Sequence, residues 1–392
     1  MMPNFIEYKA PLPAPAPAAG LSYYEKIRSE RLSVSVEARE NWTRYEKWIA
    51  SGCSSIDPQL LPIKAHISPN SQCNFRCTMC AVSDFPRGMR AENMTVRRFI
   101  QRIDQMPSIL ELMTTGLAET IMMPQKDLLV MLGEARLRSL WVQLVTNGSL
   151  LHQREWIPNL IDLDLNEIVI SLDATSAELF QQIRRGSNFQ RVVKNIALIS
   201  EAMRRRGIEN RLKVQFLMQR VNTCEIERIV PFVADLGVQS LQISVDVFDW
   251  GNRSWRVRCG ELQTELDRQA LELAVDKGKS LGVRVGVVTV NNKYVADGDP
   301  RSRCRWPFVA TMISSDDRFV PCCHISNPDH FEIKHGVGAD ASVTDVWRSE
   351  AYLQFRTAHL MGNIPDACKS CYRSGTPEAV PSVPISLTRG SQ

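Results

Sequence analysis

The chain has no large excess of charge of either sign, no apolar run long enough to span a bilayer, and no basic, apolar and small-residue order in its first residues, Met1 to Lys9, of the kind that marks a secretory signal. A net charge of +4, from 47 Lys and Arg against 43 Asp and Glu, gives no strong field for a polyanion or a lipid surface. Nucleic-acid and membrane partners are therefore not expected, and the protein is expected in the cytoplasm. Disulfides are not expected either, although the chain has 11 cysteines. Cytosolic thiols are kept reduced, and 392 residues bury a core without staples. Metal binding or catalysis is the better account of the cysteines.

Residues 9–20 are rich in Pro and Ala and read as an extended arm, followed from about Tyr23 to Ile49 by a charged, helix-friendly stretch. Together they make an N-terminal extension over 1–60. From Ile63 to about Val290 short apolar runs alternate with longer amphipathic ones, the pattern of βα units and a parallel sheet. The expected strands are Ile63 to Ile67, Leu110 to Thr114, Trp141 to Thr146, Glu167 to Leu172, Leu212 to Met218 and Leu241 to Val247, with Val283 to Val290 as a further one. The expected fold class is α/β, a partial (β/α)6 barrel over 61–295. Helices are expected over Ala177 to Arg184, Phe189 to Ala202 and Glu261 to Gly282. After Cys304 the periodicity breaks and cysteines gather, which predicts a small separate module over 296–375 and a tail over 376–392.

Cys73, Cys77 and Cys80 stand in the loop after the first strand, with three and then two residues between them. Three thiolates so placed can wrap one face of an iron–sulfur cubane and leave one iron open, whereas structural zinc wants a fourth protein ligand. This spacing after a first strand resembles the radical SAM superfamily, in which S-adenosylmethionine (SAM) chelates the open iron. The resemblance implies a [4Fe-4S] cluster held by Cys73, Cys77 and Cys80, SAM as cosubstrate, and Met79 packing on the adenine where the family commonly has an aromatic residue.

Further motifs follow in the family's order. Gly116-Leu-Ala-Glu119 resembles its Gly-x-Gly-Glu-Pro stretch, with Ala118 and Thr120 in place of Gly and Pro, and implies that Glu119 accepts a hydrogen bond from the SAM amino group. Thr146-Asn147-Gly148 ends the third strand, and Ser171-Leu172-Asp173 ends the fourth. The resemblance implies that Gly116, Asn147, Ser171 and Asp173 face the cofactor. Ile183-Arg184-Arg185-Gly186 resembles an element whose Arg pairs with the SAM carboxylate; Arg184 is the choice, with Arg185 its neighbour.

Cys304, Cys322, Cys368 and Cys371, with Cys323 beside Cys322, form a second set. Cys368-Lys-Ser-Cys371 is a ligand pair by spacing, and two more thiolates complete a four-thiolate site, for a cluster or for zinc. The surrounding text resembles the SPASM/twitch module of radical SAM enzymes in its short form. That resemblance implies one auxiliary [4Fe-4S] cluster on Cys304, Cys322, Cys368 and Cys371; spacing leaves the choice between Cys322 and Cys323 open.

The implied chemistry is reductive cleavage of SAM, with electrons from a donor such as flavodoxin or ferredoxin, and hydrogen abstraction by a 5′-deoxyadenosyl radical. The expected substrate is a polar small molecule, a sugar, aminocyclitol or nucleoside, undergoing dehydrogenation or epimerisation in a biosynthetic pathway. Cys259, in the stretch after the sixth strand, is the candidate hydrogen donor for epimerisation, and Asp246 and Asp249 are candidate bases. Cys53 and Cys224 read as structural. A maturase of ribosomally made peptides is the nearest alternative, and a zinc-bound scaffold with a degenerate barrel is the alternative outside the enzymes.

Overall fold

The structure, a computed structural model, describes residues 22–289, 294–296, 299–338 and 340–373. The Pro/Ala arm expected over 9–20, the tail expected over 376–392 and the end of the seventh expected strand at Val290 lie outside the described residues. Six parallel strands form the body: β1 (Lys64–Ile67), β2 (Glu111–Thr114), β3 (Trp141–Thr146), β4 (Glu167–Ser171), β5 (Leu212–Leu217) and β6 (Ser240–Ser244). They pair in chain order, each parallel to the next. β7 (Arg284–Val288) continues the sheet beside β6.

At the other edge, β8 (Ala310–Ile313) runs parallel to β1, and β9 (Phe319–Val320) returns antiparallel to β8. Among the described residues the sheet thus has nine strands, two of them contributed by the cysteine-rich C-terminal segment. Ala310 to Ile313 is a run buried on both faces, which a parallel sheet can accept.

Helices α1 (Tyr23–Val34) and α2 (Val36–Ala50) precede the barrel, and α3 (Val96–Asp104), α4 (Gln125–Leu137), α5 (Trp156–Asp162), α6 (Ala177–Ile183), α7 (Phe189–Arg205), α8 (Ile226–Asp235), α9 (Arg253–Leu262) and α10 (Arg268–Leu281) follow. The stretch after β6, read in sequence as a loop up to Gly260, is mostly α9. Trp255 and Cys259, one turn apart, are buried and Leu262 is half-buried, but the exposed Val257 and the charges of Arg253, Arg256 and Arg258 blur that stripe. Asn252 caps the helix by accepting from the Ser254 N–H at 3.0 Å.

Strand alternation divides polar from apolar along each barrel strand. On β5, Leu212, Val214 and Phe216 are buried, while Gln215 and Leu217 line the barrel cavity. Lower on the same faces, a polar ladder crosses the floor. Lys64 meets Glu111 at 2.9 Å, Gln143 donates to Glu167, and Lys213 meets Glu167 at 2.5 Å.

The N-terminal helices cover this floor. Tyr23 and Tyr24 pack against Trp141, with ring centroids 5.4 and 5.1 Å away, and the Tyr24 hydroxyl donates to Glu111. Arg31 is buried and donates to the carbonyls of Ile109, Arg138 and Pro107 at 3.1, 3.0 and 2.6 Å. These carbonyls belong to the turns that lead into β2 and β3. Arg31→Ala leaves them uncapped and is expected to lower stability by about 3 kcal/mol, checked by denaturant unfolding of the apoprotein.

Candidate active site

The loop bearing Cys73, Cys77 and Cys80 is pinned at the mouth of the barrel. Arg76–Cys77 pairs antiparallel with Arg184–Arg185, and the Thr78 N–H donates to the Ile183 carbonyl at 2.9 Å. All three cysteines line a cavity at the C-terminal ends of the strands, where a parallel barrel presents its loops. Burial pushes each thiol's pKa up, to about 12 for Cys80; Glu119 adds to the effect at Cys73, and Cys77 at Cys80. A buried thiol in this setting holds its proton unless a cation takes its place.

Asp173, fully buried, meets the Arg184 guanidinium at 2.7 Å. It is held by the Leu217 N–H at 2.8 Å, while its own carbonyl accepts from Asn222 at 2.9 Å. Burial works against the Arg184 charge, but Asp173 and then Cys77 outweigh it and hold the pKa above its usual value. One Arg184 Nη lies 3.9 Å from the Cys77 sulfur. Asp173 therefore orients Arg184 rather than offering a free carboxylate to the cavity. Arg185 is exposed, which leaves Arg184 as the arginine that lines it.

The Glu119 carboxylate accepts from Thr146 at 2.5 Å and from the Asn147 and Ile121 N–H groups at 2.6 and 3.3 Å. Burial nonetheless outweighs those bonds and raises its pKa to about 7. Asn147 donates to Asn74 at 2.9 Å and so ties the end of β3 to the cysteine loop. Gly116 is required by packing: a Cβ there would sit 2.3 Å from the Ser68 oxygen. Gly116, Met79, Asn147 and Ser171 all line the cavity.

The three expected catalytic residues have other surroundings. Cys259 is buried on α9, its thiol donates to the Phe248 carbonyl at 3.0 Å, and burial, with Asp249, raises its pKa to about 12. It donates to the Phe248 backbone and does not line the cavity. Asp249 meets Arg256 at 2.9 Å, and Arg256 also reaches the Asp366 carbonyl at 2.5 Å. The carboxylate expected to act as a base thus clamps the start of α9 to the loop that carries Cys368. Asp246 is buried off the cavity, near enough for its charge to act on His324. The surroundings of Cys259 and Asp249 depend on a helix that the sequence did not announce.

Cys304, Cys322, Cys368 and Cys371 line a second, smaller cavity, and Cys323 does not. Phe248 belongs to the walls of both cavities. Its ring stacks on His324, with centroids 3.8 Å apart and planes 19° from parallel, and meets the Trp250 ring edge-on at 6.1 Å. Trp250 in turn donates from Nε1 to the Met79 carbonyl at 3.2 Å. Trp250 is held at φ 54°, a left-handed backbone unusual for a bulky residue.

Residues passed over in sequence are Gln215, Ser244, Phe248, Trp250 and His324. A signal existed for two of them: Gln215 and Ser244 are polar residues near the C-terminal ends of buried strands. The three rings stand in loops with no periodicity to mark them.

The radical SAM superfamily description matches residues 67–233, and an iron–sulfur cluster-binding domain, SPASM, matches residues 304–372. No curated protein matches the chain. Among solved structures, Streptococcus suis SuiB bound to the precursor peptide SuiA is 15% identical, with a TM-score of 0.60 over 83% of this chain and 74% of that one. SuiB bound to S-adenosylmethionine gives 0.57 at 15% identity, over 80% and 72%. Histidine-tagged anSMEcpe with bound AdoMet gives 0.54 at 13% identity, over 80% and 88%. At these identities the likeness is one of fold.

Asp173→Asn removes the charge that compensates a buried guanidinium and is expected to cost about 3–5 kcal/mol. Freed of that partner, the cysteine loop of the apoprotein should alkylate faster at Cys77, which peptide mapping after timed iodoacetamide treatment would read.

Proposed function

Because the chain belongs to the radical SAM superfamily and carries a SPASM iron–sulfur cluster-binding domain, we propose that it dehydrogenates a polar small molecule of the sugar, aminocyclitol or nucleoside type. The cofactors of such a chain are a [4Fe-4S] cluster, SAM and auxiliary iron–sulfur, and the residues present fit them. Three soft thiols open on one cavity and four on another, and the surroundings of Cys73, Cys77, Cys80, Cys322, Cys368 and Cys371 disfavour a bare thiolate. Cys73, Cys77 and Cys80 would hold the first cluster; Cys304, Cys322, Cys368 and Cys371 would hold the auxiliary one.

When bound, these groups supply a hydrogen-abstracting 5′-deoxyadenosyl radical in the barrel and a one-electron acceptor beyond Phe248. The protein supplies placement. Glu119 accepts a hydrogen bond from the SAM amino group, and Arg184, steadied by Asp173, faces its carboxylate. Gln215, Ser171 and Ser244 offer hydrogen bonds to a hydroxylated substrate, while the Phe248 and Trp250 rings give its apolar ring faces a surface. The net change is the loss of two hydrogens from the substrate.

The observation that carries dehydrogenation over epimerisation is the shared wall. Phe248 borders both cavities, whereas the cysteines lining the barrel cavity are Cys73, Cys77 and Cys80, each already assigned to the cluster. Epimerisation needs a donor thiol there, and Cys259 does not line it. A peptide substrate is the second reading, favoured by the likeness to SuiB, whose structure holds a precursor peptide.

The test is turnover of anaerobically reconstituted enzyme with SAM, a reductant and candidate extracts in heavy water. A small-molecule product lighter by two hydrogens and free of solvent deuterium is expected, with Cys259→Ala retaining turnover. Deuterium incorporation lost in Cys259→Ala would restore epimerisation, and a modified peptide would replace the substrate class. The same preparation should carry about eight irons, two cubanes' worth, and a colourless zinc protein would sink the enzyme reading. Separately, Glu119→Gln removes a charge-assisted hydrogen bond worth about 1.5–3 kcal/mol and should weaken SAM binding about 10- to 100-fold in equilibrium dialysis.

A further inference from the structure

The antiparallel ribbon of Arg76–Cys77 and Arg184–Arg185, which pins the cysteine loop, has two faces. Cys77 and Arg184 form one cross-strand pair, and Arg76 and Arg185 form the next. Successive side chains on a strand point to opposite sides, so a ribbon that turns Cys77 and Arg184 into the barrel cavity turns Arg76 and Arg185 away from it. The inner arginine has its counter-charge in Asp173. The outer pair has none: among the described residues neither guanidinium meets a carboxylate, and segments 72–80 and 181–191, which meet here, contain no Asp or Glu.

Like charges directly opposite one another destabilise an antiparallel pair, and here they do so beside a thiol assigned to the first cluster. Arg76 is built into the loop. Its Nη1 donates to the Cys73 and Phe75 carbonyls at 2.7 and 2.8 Å, and a Cβ at Gly88 would overlap its Nη2. Arg185 is exposed, and its exposed neighbours Gln182, Gly186 and Asn188 are uncharged. A surface charge that no internal group compensates attracts an opposite charge from outside and steers its approach.

We infer that the outer face of this ribbon, through Arg185 above all, is the docking point for an acidic one-electron carrier protein that reduces the first cluster. The carrier gives up one electron and the cluster takes it, across the thickness of a single ribbon. The inference rests on the assignment of Cys73, Cys77 and Cys80 to that cluster, and it deepens that reading by naming where the electron arrives. The cavity itself is left to SAM and the substrate.

Its test uses the full chain with both clusters reconstituted and follows release of 5′-deoxyadenosine from SAM. The reaction is driven by a reduced flavodoxin, by a reduced ferredoxin, or by dithionite, which is too small to need a docking face. Arg185→Glu reverses an exposed charge, and Arg185→Lys keeps it. In Arg185→Glu the carrier concentration for half-maximal rate is expected to rise about 10-fold while the dithionite rate stays within about two-fold, and Arg185→Lys should stay near the parent. Added salt should raise the half-maximal carrier concentration of the parent and barely move that of Arg185→Glu. An unchanged carrier dependence in Arg185→Glu would overturn the inference. So would equal losses with carrier and with dithionite, because the residue would then serve the cysteine loop itself, and so would a parent that dithionite drives and neither carrier does. A parent that releases no 5′-deoxyadenosine with any reductant would take the cluster assignment down as well, which tells the two failures apart.

Discussion

Asp173, with no access to solvent, and Arg184, nearly as buried, meet at 2.7 Å where the end of β4, the helix after it and the cysteine loop converge. A buried ion pair contributes little net stability, because removing both charges from water costs about as much as their attraction returns. Its worth here is in placement. The Asp173 carboxylate is fixed from β5 by the Leu217 N–H, Arg184 is fixed by Asp173, and the backbone of Arg184 is zipped to that of Cys77. A permanent positive charge is thereby held 3.9 Å from one of the three thiols that must ionise together. Glu119 stands across the same cavity, where burial outweighs the hydrogen bonds to its carboxylate.

The chemistry-bearing loops are far apart in sequence, and the structure joins them through groups that ligate nothing. Asn147 ties the end of β3 to the cysteine loop, Trp250 ties the stretch after β6 to Met79, and Arg256 ties the same stretch to Asp366 beside Cys368. The last two ties converge on Phe248, the residue between the cavities. The unusual backbone at Trp250 is retained because the surrounding contacts fix it: Asp249 accepts from the Gly251 N–H at 3.0 Å on one side, and the indole is hydrogen-bonded on the other.

Much of this was legible in the sequence, for physical reasons. The barrel strands are short runs rich in apolar residues at regular spacing between amphipathic stretches, which places each within a few residues, and the cysteines carry chemistry in their spacing alone. Polar groups on strand ends, Asn147 and Ser171 among them, were legible because register fixes where they point. What escaped depends on tertiary contacts. The helix Arg253–Leu262 turns Trp255, Cys259 and Leu262 inward, but the exposed Val257 and three arginines among them mask the period, and with it the surroundings of Cys259 and Asp249. Phe248 and His324 lie 76 positions apart in loops, and nothing local to either announces a stack. The N-terminal helices were legible as helices but not as the floor of the barrel, since that role depends on Arg31 finding carbonyls of Pro107, Ile109 and Arg138.

The strand Ala310–Ile313 has a consequence for how the molecule comes into being. It lies against β1, about 246 residues earlier in the chain, so β1 presents an open edge until residue 313 has been made. An unpaired parallel strand beside a loop of reactive thiols is the kind of surface that recruits another chain, and closing it requires the longest strand-to-strand closure in the sheet. The barrel and the cysteine-rich segment therefore mature together: the segment that brings the second set of thiols also seals the edge of the sheet that carries the first.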